Sequence, residues 1–308
     1  MAKNIGVGDA VFTTNFSYFA TTEVISLVGA TPIFVDINEK TFNINPELLE
    51  IQIKKTLDDG KLKAKAIIAV DLFGQLADYE KLEKIAKKYN LFLIEDAAQS
   101  FGSTHNNRKS CSFGDVAATS FFPAKPLGCY GDGGAIFTND SKLANIFKSI
   151  RMHGQGKNKY DNIRIGLNSR LDTLQAVVLL NKLEIFENEL ILRNKIAEFY
   201  SNNLKEYLSI PFVENLNKSA WAQYSLLVTS IDQREELLKH LASKGIPTAI
   251  YYKKIFSELD MYRNHIDNKF PVSEKCSNQI FSIPMHPYLS ESELNLIVNE
   301  IIKFYKND

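Results

Sequence analysis

Short apolar runs alternate with amphipathic stretches from Asp9 to about Asn139. DAVFTT (9–14), TPIFVD (31–36), KAIIAVD (65–71) and LFLIED (91–96) are short, rich in Val, Ile and Phe, and bounded by polar residues, which predicts buried strands. Between the last two lies DYEKLEKIAKKYN (78–90). Its Tyr79, Leu82, Ile85, Ala86 and Tyr89 share one helical face and its charges take the other. Strand and helix in alternation imply βαβ units and a mostly parallel sheet flanked by helices, where ligands gather at the carboxyl ends of strands.

Further along, the Gly-rich segment GCYGDGGAIFT (128–138) leads into another strand. Residues 168 to about 206 predict two helices, the first carrying Leu171, Leu174, Val177, Val178 and Leu183. From about Pro211 a second α/β pattern starts, with YSLLVTS (224–230) as a strand and QREELLKHLASKG (233–245) as a helix closed by Gly245. PTAIYY (247–252) reads as a short strand, and SESELNLIVNEIIKFY (290–305) as a helix opened by a Ser290–Glu293 capping box. The fold class expected is α/β: a large domain over 1–206 built on the parallel sheet, and a smaller α/β domain over 207–308. No low-complexity linker or internal repeat separates the two, so they should pack closely.

Charge and cysteine usage narrow the function classes. Thirty-six Lys and Arg balance thirty-six Asp and Glu, so no net field draws nucleic acid or an anionic membrane. Cys111, Cys129 and Cys276 are odd in number and lack CxxC spacing. Neither a disulfide framework nor a zinc site is indicated, which fits a reducing compartment. No apolar run nears the ~18 residues of a membrane span, and the N-terminus has no signal-peptide core. A cytoplasmic location is expected, with no nucleic acid, membrane or metal partner.

Candidate chemistry lies between residues 95 and 134. In IEDAAQ (94–99) acids end a buried strand. A helix N-cap is the plain reading, since acids there satisfy free N–H groups; the functional one places Asp96 at the sheet's carboxyl edge, in the ligand crevice. In SFFPAKPLG (120–128) Lys125 stands between two prolines, after two phenylalanines and before the Gly-rich turn. Most lysines are solvated, but an ε-amine held against apolar surface loses its proton readily, as a Schiff-base lysine must. GCYGDGG matches neither the dinucleotide fingerprint nor the P-loop, which favours a tight turn over a phosphate cradle. Ser120 offers a hydroxyl to phosphate. A carboxylate, a lysine 29 positions later and a serine five before the lysine form the layout of a pyridoxal 5′-phosphate site on a parallel sheet. The lysine attaches the cofactor and shuttles a proton, and the carboxylate keeps the pyridine nitrogen protonated.

These stretches resemble the StrS/DegT family of nucleotide-sugar aminotransferases, which have the aspartate-aminotransferase fold (type I among pyridoxal phosphate enzymes). The matching segments are NFSYFATTEVI (15–25), PIFVDIN (32–38), DLFGQLAD (71–78), IEDAAQSFGS (94–103), GDVAATSFFPAKPLGCYGDGGAIFTND (114–140), RMHG (151–154) and GLNSRLDTLQAVVL (166–179). They keep one order over nearly the whole chain. The resemblance implies that Lys125 carries the cofactor, Asp96 partners its pyridine nitrogen and Gln99 bonds its phenolic oxygen. It further implies that Ser120 binds the phosphate and Tyr18 stacks on the ring. Asn168 is expected to reach the phosphate of the neighbouring subunit's cofactor, so that a homodimer is needed. The implied reaction moves an amino group from glutamate to a keto-sugar on a nucleoside diphosphate, for surface polysaccharide or glycan. Within the family SAWAQYSLLV (219–228) points to C3 of UDP-linked 3-keto hexuronic acids, with C4 amination of a 4-keto-6-deoxy sugar as the main alternative.

Two departures stand out. The family's His-containing HYP-like stretch reads IYYKK (250–254) here, while His286 in SIPMHPYL keeps a separate, structural feature. Also, IGVGDAVF (5–12) matches a segment that in the family follows a Gly-Thr turn, whose backbone N–H groups meet the cofactor phosphate at a helix N-terminus. That part is expected to be missing through a truncated reading frame or a mis-set start. Rival classes are a sugar dehydratase, whose relatives carry histidine in place of the lysine, and a cofactor-poor remnant or non-catalytic regulator. A Rossmann dinucleotide binder lacks its glycine fingerprint here.

Overall fold

A computed structural model describes residues 1–263 and 269–306. In chain order its elements begin with β1 (Asp9–Thr14), α1 (Ala20–Leu27), β2 (Thr31–Val35), α2 (Pro46–Asp59), β3 (Lys63–Val70), α3 (Tyr79–Tyr89) and β4 (Phe92–Asp96). Two short strands, β5 (Thr104–His105) and β6 (Arg108–Lys109), precede β7 (Val116–Ser120), β8 (Gly134–Phe137), α4 (Ser141–Arg151) and α5 (Thr173–Leu204). The remainder holds β9 (Asn217–Lys218), β10 (Tyr224–Leu227), α6 (Ile231–Ser243), α7 (Pro271–Gln279), β11 (Ile280–Ile283) and α8 (Glu291–Lys306).

Six strands form the main sheet in the order β2-β1-β3-β4-β7-β8, all parallel except β8, which runs antiparallel to β7. The four strands read from the sequence are β1 to β4, and the helix read over 78–90 is α3. Every residue of β1 is buried, as a parallel strand covered on both faces requires. Phe12, Ile67 and Leu93 pack on one face against Leu49, Ile53 and Leu82 of α2 and α3. Val11, Ala66 and Ile68 pack on the other against Ile25 of α1. That second face is less covered toward β8, where Phe92 and Ile94 are half-buried and Ile136 is 56% exposed.

Polar residues follow or end the strands at the carboxyl edge: Asn15, Asp36, Asp71, Asp96 and Ser120. The C-terminal part, in which α8, α6 and the end of α5 pack on the β10–β11 pair, docks onto this edge. Asn15 takes the Ser257 N–H on its amide oxygen and donates to Ser257 Oγ, both at 2.9 Å. Asp36 accepts from the Val272 and Ser273 N–H groups at 3.0 and 2.9 Å, and from the Ser273 hydroxyl, capping the start of α7. Gly245 follows α6 in the left-handed region at φ 72°, and Ser290 and Glu293 exchange the expected capping bonds at the start of α8.

Two expectations are corrected. Residues 173–204 form one helix, because no Gly or Pro interrupts them. Its first half exposes Leu174, Val177 and Leu183 while its second half buries Ile196, Tyr200 and Leu204, and this change of face reads as two helices. PTAIYY is not a strand: only Ala249 bridges to Ser282, and its tyrosines turn to pack near Phe16. The strand that pairs with β10 is β11, only four residues long. Among the described residues no helix is long and apolar enough to cross a membrane, and no group of His, Cys, Asp and Glu could hold a metal ion.

Asp36→Ala removes three acceptor contacts at the start of α7. With hydrogen bonds to a charged group worth about 1.5–3 kcal/mol and partly replaced by water, urea unfolding should show a loss of roughly 2–4 kcal/mol. A loss below about 0.5 kcal/mol, the level of an ordinary surface change, would show that the cap does not hold the two parts together.

Candidate active site

Asp96 ends β4, in register with Val70 of β3 and Ala118 of β7. Its carboxylate accepts from Thr21 Oγ1 at 2.8 Å and from the Ala98 N–H at 3.2 Å, and makes no ion pair with any described residue. Burial raises this carboxyl above its ordinary range; the two hydrogen bonds and the charge of Lys125 pull it back. Thr21 lies in the first turn of α1, with its hydroxyl 3.2 Å from that of Ser17.

Lys125 sits in the turn after β7, its N–H bonded to the Phe122 carbonyl at 2.9 Å. Burial lowers the basicity of its ammonium, opposed by the charge of Asp96, and the group has no hydrogen bond or ion pair among the described residues. Ser120 closes β7, where its Oγ accepts from the Phe122 N–H at 3.2 Å. The loop beyond Lys125 is held by α5. Lys182 donates to the Gly128 carbonyl at 2.7 Å and lies 4.9 Å from the Tyr130 ring centre, and Gln175 Oε1 accepts from the Tyr130 N–H at 2.8 Å. A Cβ on Gly128 would come within 2.5 Å of the Pro123 carbonyl oxygen, so the Gly-rich segment is a close backbone approach.

Gln99 is 4% exposed and doubly held. Its Oε1 accepts from the Phe73 N–H at 2.7 Å and its Nε2 donates to Tyr252 Oη at 3.0 Å. The Tyr252 ring lies 6.4 Å from that of Tyr18, which is 61% exposed at the rim. Asp96, Gln99, Lys125, Ser120 and Tyr18 thus gather at one end of the sheet. Asn168 does not join them. It is exposed, and its backbone bridges Met152. Sequence reasoning missed Thr21 because α1 was not foreseen, and with it the spacing that puts Thr21 one turn beyond Tyr18. The Tyr252 segment reads in the sequence as a short strand and as a departure from the family's His-containing stretch, with no role given to Tyr252.

A half-buried carboxylate without a cation suits a protonated ring nitrogen, and an unpaired amine of lowered basicity suits attachment to an aldehyde. The donor set fits pyridoxal phosphate. Residues 1–302 match the DegT/DnrJ/EryC1/StrS aminotransferase family. The chain belongs to that family. It is 47% identical over 298 residues to the UDP-2-acetamido-2-deoxy-3-oxo-D-glucuronate aminotransferase of Pseudomonas aeruginosa, which covers 96% of this chain and 80% of that protein. A DegT/DnrJ/EryC1/StrS aminotransferase crystal structure from Brucella abortus superposes with TM-score 0.96 at 48% identity, covering 99% of this chain and 81% of that one. S. venezuelae DesV, in complex with a ketimine intermediate, gives 0.91 at 30% identity, over 98% and 80%. The chain is accordingly a pyridoxal phosphate-dependent aminotransferase of the type I fold.

Behind the site of this aminotransferase lies a pair of buried acids. Asp71 accepts from the Ala77 N–H (3.0 Å), Tyr79 Oη (2.8 Å) and Ser100 Oγ (2.7 Å). Glu95 accepts from the Cys111 and Phe113 N–H groups at 2.6 and 2.8 Å. Both are fully buried and hydrogen-bonded to each other. Burial first, then the charge of Glu95, pushes the Asp71 carboxyl well up, so it stays protonated in the folded chain after the unfolded chain has lost that proton. The folded state then binds more protons, and the stability this group contributes, full below the ordinary carboxylate range, falls as pH rises toward its folded midpoint. For one proton the slope is at most about 1.4 kcal/mol per pH unit. Asp71→Asn, which keeps a donor toward Glu95, should flatten the decline between about pH 5 and pH 8 in urea titrations; parallel curves for the two proteins would mean that no extra proton is held.

Proposed function

We propose that this aminotransferase moves the amino group of glutamate to C3 of a UDP-linked 3-keto hexuronic acid, acting in the cytoplasm as a homodimer in surface-polysaccharide building. The observation that carries the substrate is the 47% identity to the P. aeruginosa protein, which is named for a UDP-linked 3-oxo-glucuronate. In this reading Lys125 Nζ attaches the cofactor, Asp96 faces its ring nitrogen and Gln99 donates to its phenolic oxygen. Tyr18 covers the ring, Ser120 binds the phosphate, and Asn168 binds the phosphate in the partner subunit's site. When bound, pyridoxal phosphate draws in the electron pair left at the carbon that loses its proton. The amine of Lys125, its basicity lowered by burial, takes that proton at Nζ and returns it at the neighbouring position. Thr21 and Ala98 keep the Asp96 carboxylate aimed while it is ionised. The dimer is supported by exposed apolar side chains on the stretch of chain that carries Asn168, where Tyr160, Ile165 and Leu174 are 88%, 82% and 79% exposed.

Purified protein loaded with cofactor should convert UDP-2-acetamido-2-deoxy-3-oxo-D-glucuronate and glutamate to the 3-amino sugar and 2-oxoglutarate, and should leave a 4-keto-6-deoxy sugar nucleotide untouched. The reverse preference would replace the substrate assignment. Borohydride reduction followed by peptide mapping should place the pyridoxyl group on Lys125; another lysine would sink that role.

Asp96→Asn should fold and bind cofactor yet transaminate slowly. Breaking a buried ion pair costs about 3–5 kcal/mol, which, if most of it is felt in the proton-transfer step, slows turnover by roughly 10²–10⁴. Near-normal turnover by this variant would reduce Asp96 to a helix cap.

A further inference from the structure

Tyr252 has no part in the roles above, yet it bonds the C-terminal part of the chain directly to a side chain of the site. Its Oη accepts from Gln99 Nε2 at 3.0 Å, and its ring stands edge-on to Phe16 at 5.9 Å and tilted to Tyr18 at 6.4 Å. The other end of the Gln99 amide is fixed as well. The Phe73 N–H, 2.7 Å away, demands an oxygen, so the amide cannot turn over. Phe73 is itself set by the turn after β3, where it takes φ 59°. Two hydrogens remain on Nε2, and Tyr252 takes one.

We infer that Tyr252 is a positioning residue, which by accepting one Nε2 hydrogen of Gln99 directs the other at the cofactor's phenolic oxygen. This rests on the role given to Gln99 above. Without Oη, one N–H of a buried amide is left without an acceptor, and the amide swings to find one. The ionisable groups facing the phenol are Asp96, Tyr251 and Tyr18; burial, and then the charge of Asp96, hold it protonated well beyond neutral pH, so it acts as a neutral acceptor. The segment that delivers it is anchored independently, by the Asn15–Ser257 bonds and by the Ala249–Ser282 bridge. The amide in the parallel-sheet part is thereby oriented from the other part of the chain.

Tyr252→Phe keeps the ring contacts and removes only Oη. With the cofactor-loaded protein, two quantities should be measured for Tyr252→Phe, Gln99→Ala and the double variant: the dissociation constant for pyridoxal phosphate and the pH midpoint of the bound cofactor's absorbance change. An N–H donated to the phenolic oxygen favours its ionised form, so losing that donor raises the midpoint. Tyr252→Phe should raise the midpoint and weaken binding roughly 3- to 10-fold, the size of one neutral hydrogen bond. In the Gln99→Ala background it should change neither quantity further. If Gln99→Ala raises the midpoint and Tyr252→Phe does not, or if the two effects add, the proposal is overturned and the role of Gln99 stands. If neither variant moves the midpoint, the role of Gln99 falls and the proposal falls with it.

Discussion

The carboxyl group at the end of β4 is the constraint on which the rest of the site depends. Asp96 is drawn out of water beside two neutral donors, and the one cation that acts on it among the described residues, Lys125, is itself disfavoured by burial. A buried charge without a partner is costly, and an amine in such a place is inclined to give up its proton. Each group is uncomfortable alone, and in the proposed function each is relieved by a ligand that brings a positive ring nitrogen to one and a carbonyl carbon to the other. The preceding residue shows the opposite solution. Glu95 lies on the other side of the same strand and settles its charge inside the protein, through two backbone N–H groups and a bond to Asp71. One strand thus carries an acid neutralised from within and an acid left for a ligand.

The second requirement is that these groups keep their places, and the means are spread along the chain. Asp96 is steadied by Thr21 of α1. The turn bearing Lys125 is steadied by α5, through Gln175 and Lys182 on the loop that follows it. Gln99 is gripped from the β3 turn and from the C-terminal part. That last part reaches the carboxyl edge because Asn15 and Asp36, which follow β1 and β2, bind backbone N–H groups of the chain beyond residue 255. A parallel sheet lines up its strand ends on one side, so a single edge both holds the second part of the chain and presents the reactive groups.

The first four strands and α3 were legible because their apolar residues follow simple periods and their neighbours are polar. Asp96, Ser120 and Lys125 stood out by their spacing and Gln99 by the resemblance to the family, and the structure gathers the four at one end of the sheet; their roles toward a cofactor belong to the proposed function. What stayed hidden depends on contacts between distant residues. Thr21 and Asp96 are 75 positions apart and Gln99 and Tyr252 are 153 apart, and no local pattern announces either pair. The change of face along α5 misled the reading because a helix that serves two surroundings has no single apolar stripe. PTAIYY misled it for a related reason: β-branched and aromatic residues fit a strand, but here tertiary packing near Phe16 decides.

The side chains between Asp96 and Lys125 carry a consequence of their own. Gln99, Tyr252, Thr21, Ser120 and Tyr18 are amides and hydroxyls, so these five add directed dipoles and no net charge. In a place of low dielectric, one further ionised group nearby would outweigh several hydrogen bonds. A fixed positive charge would neutralise Asp96, and a second negative one would restore the proton to Lys125. Among the described residues the charges that act on each other here are that acid and that amine, and these neutral neighbours leave the balance between them to whatever charges cofactor and substrate bring. Tyr252 fits this demand better than an imidazole in contact with Gln99 would, because burial keeps its phenol neutral where a histidine could gain a proton. The aromatic residues at the junction of the two parts therefore serve the electrostatics of the site as well as its packing.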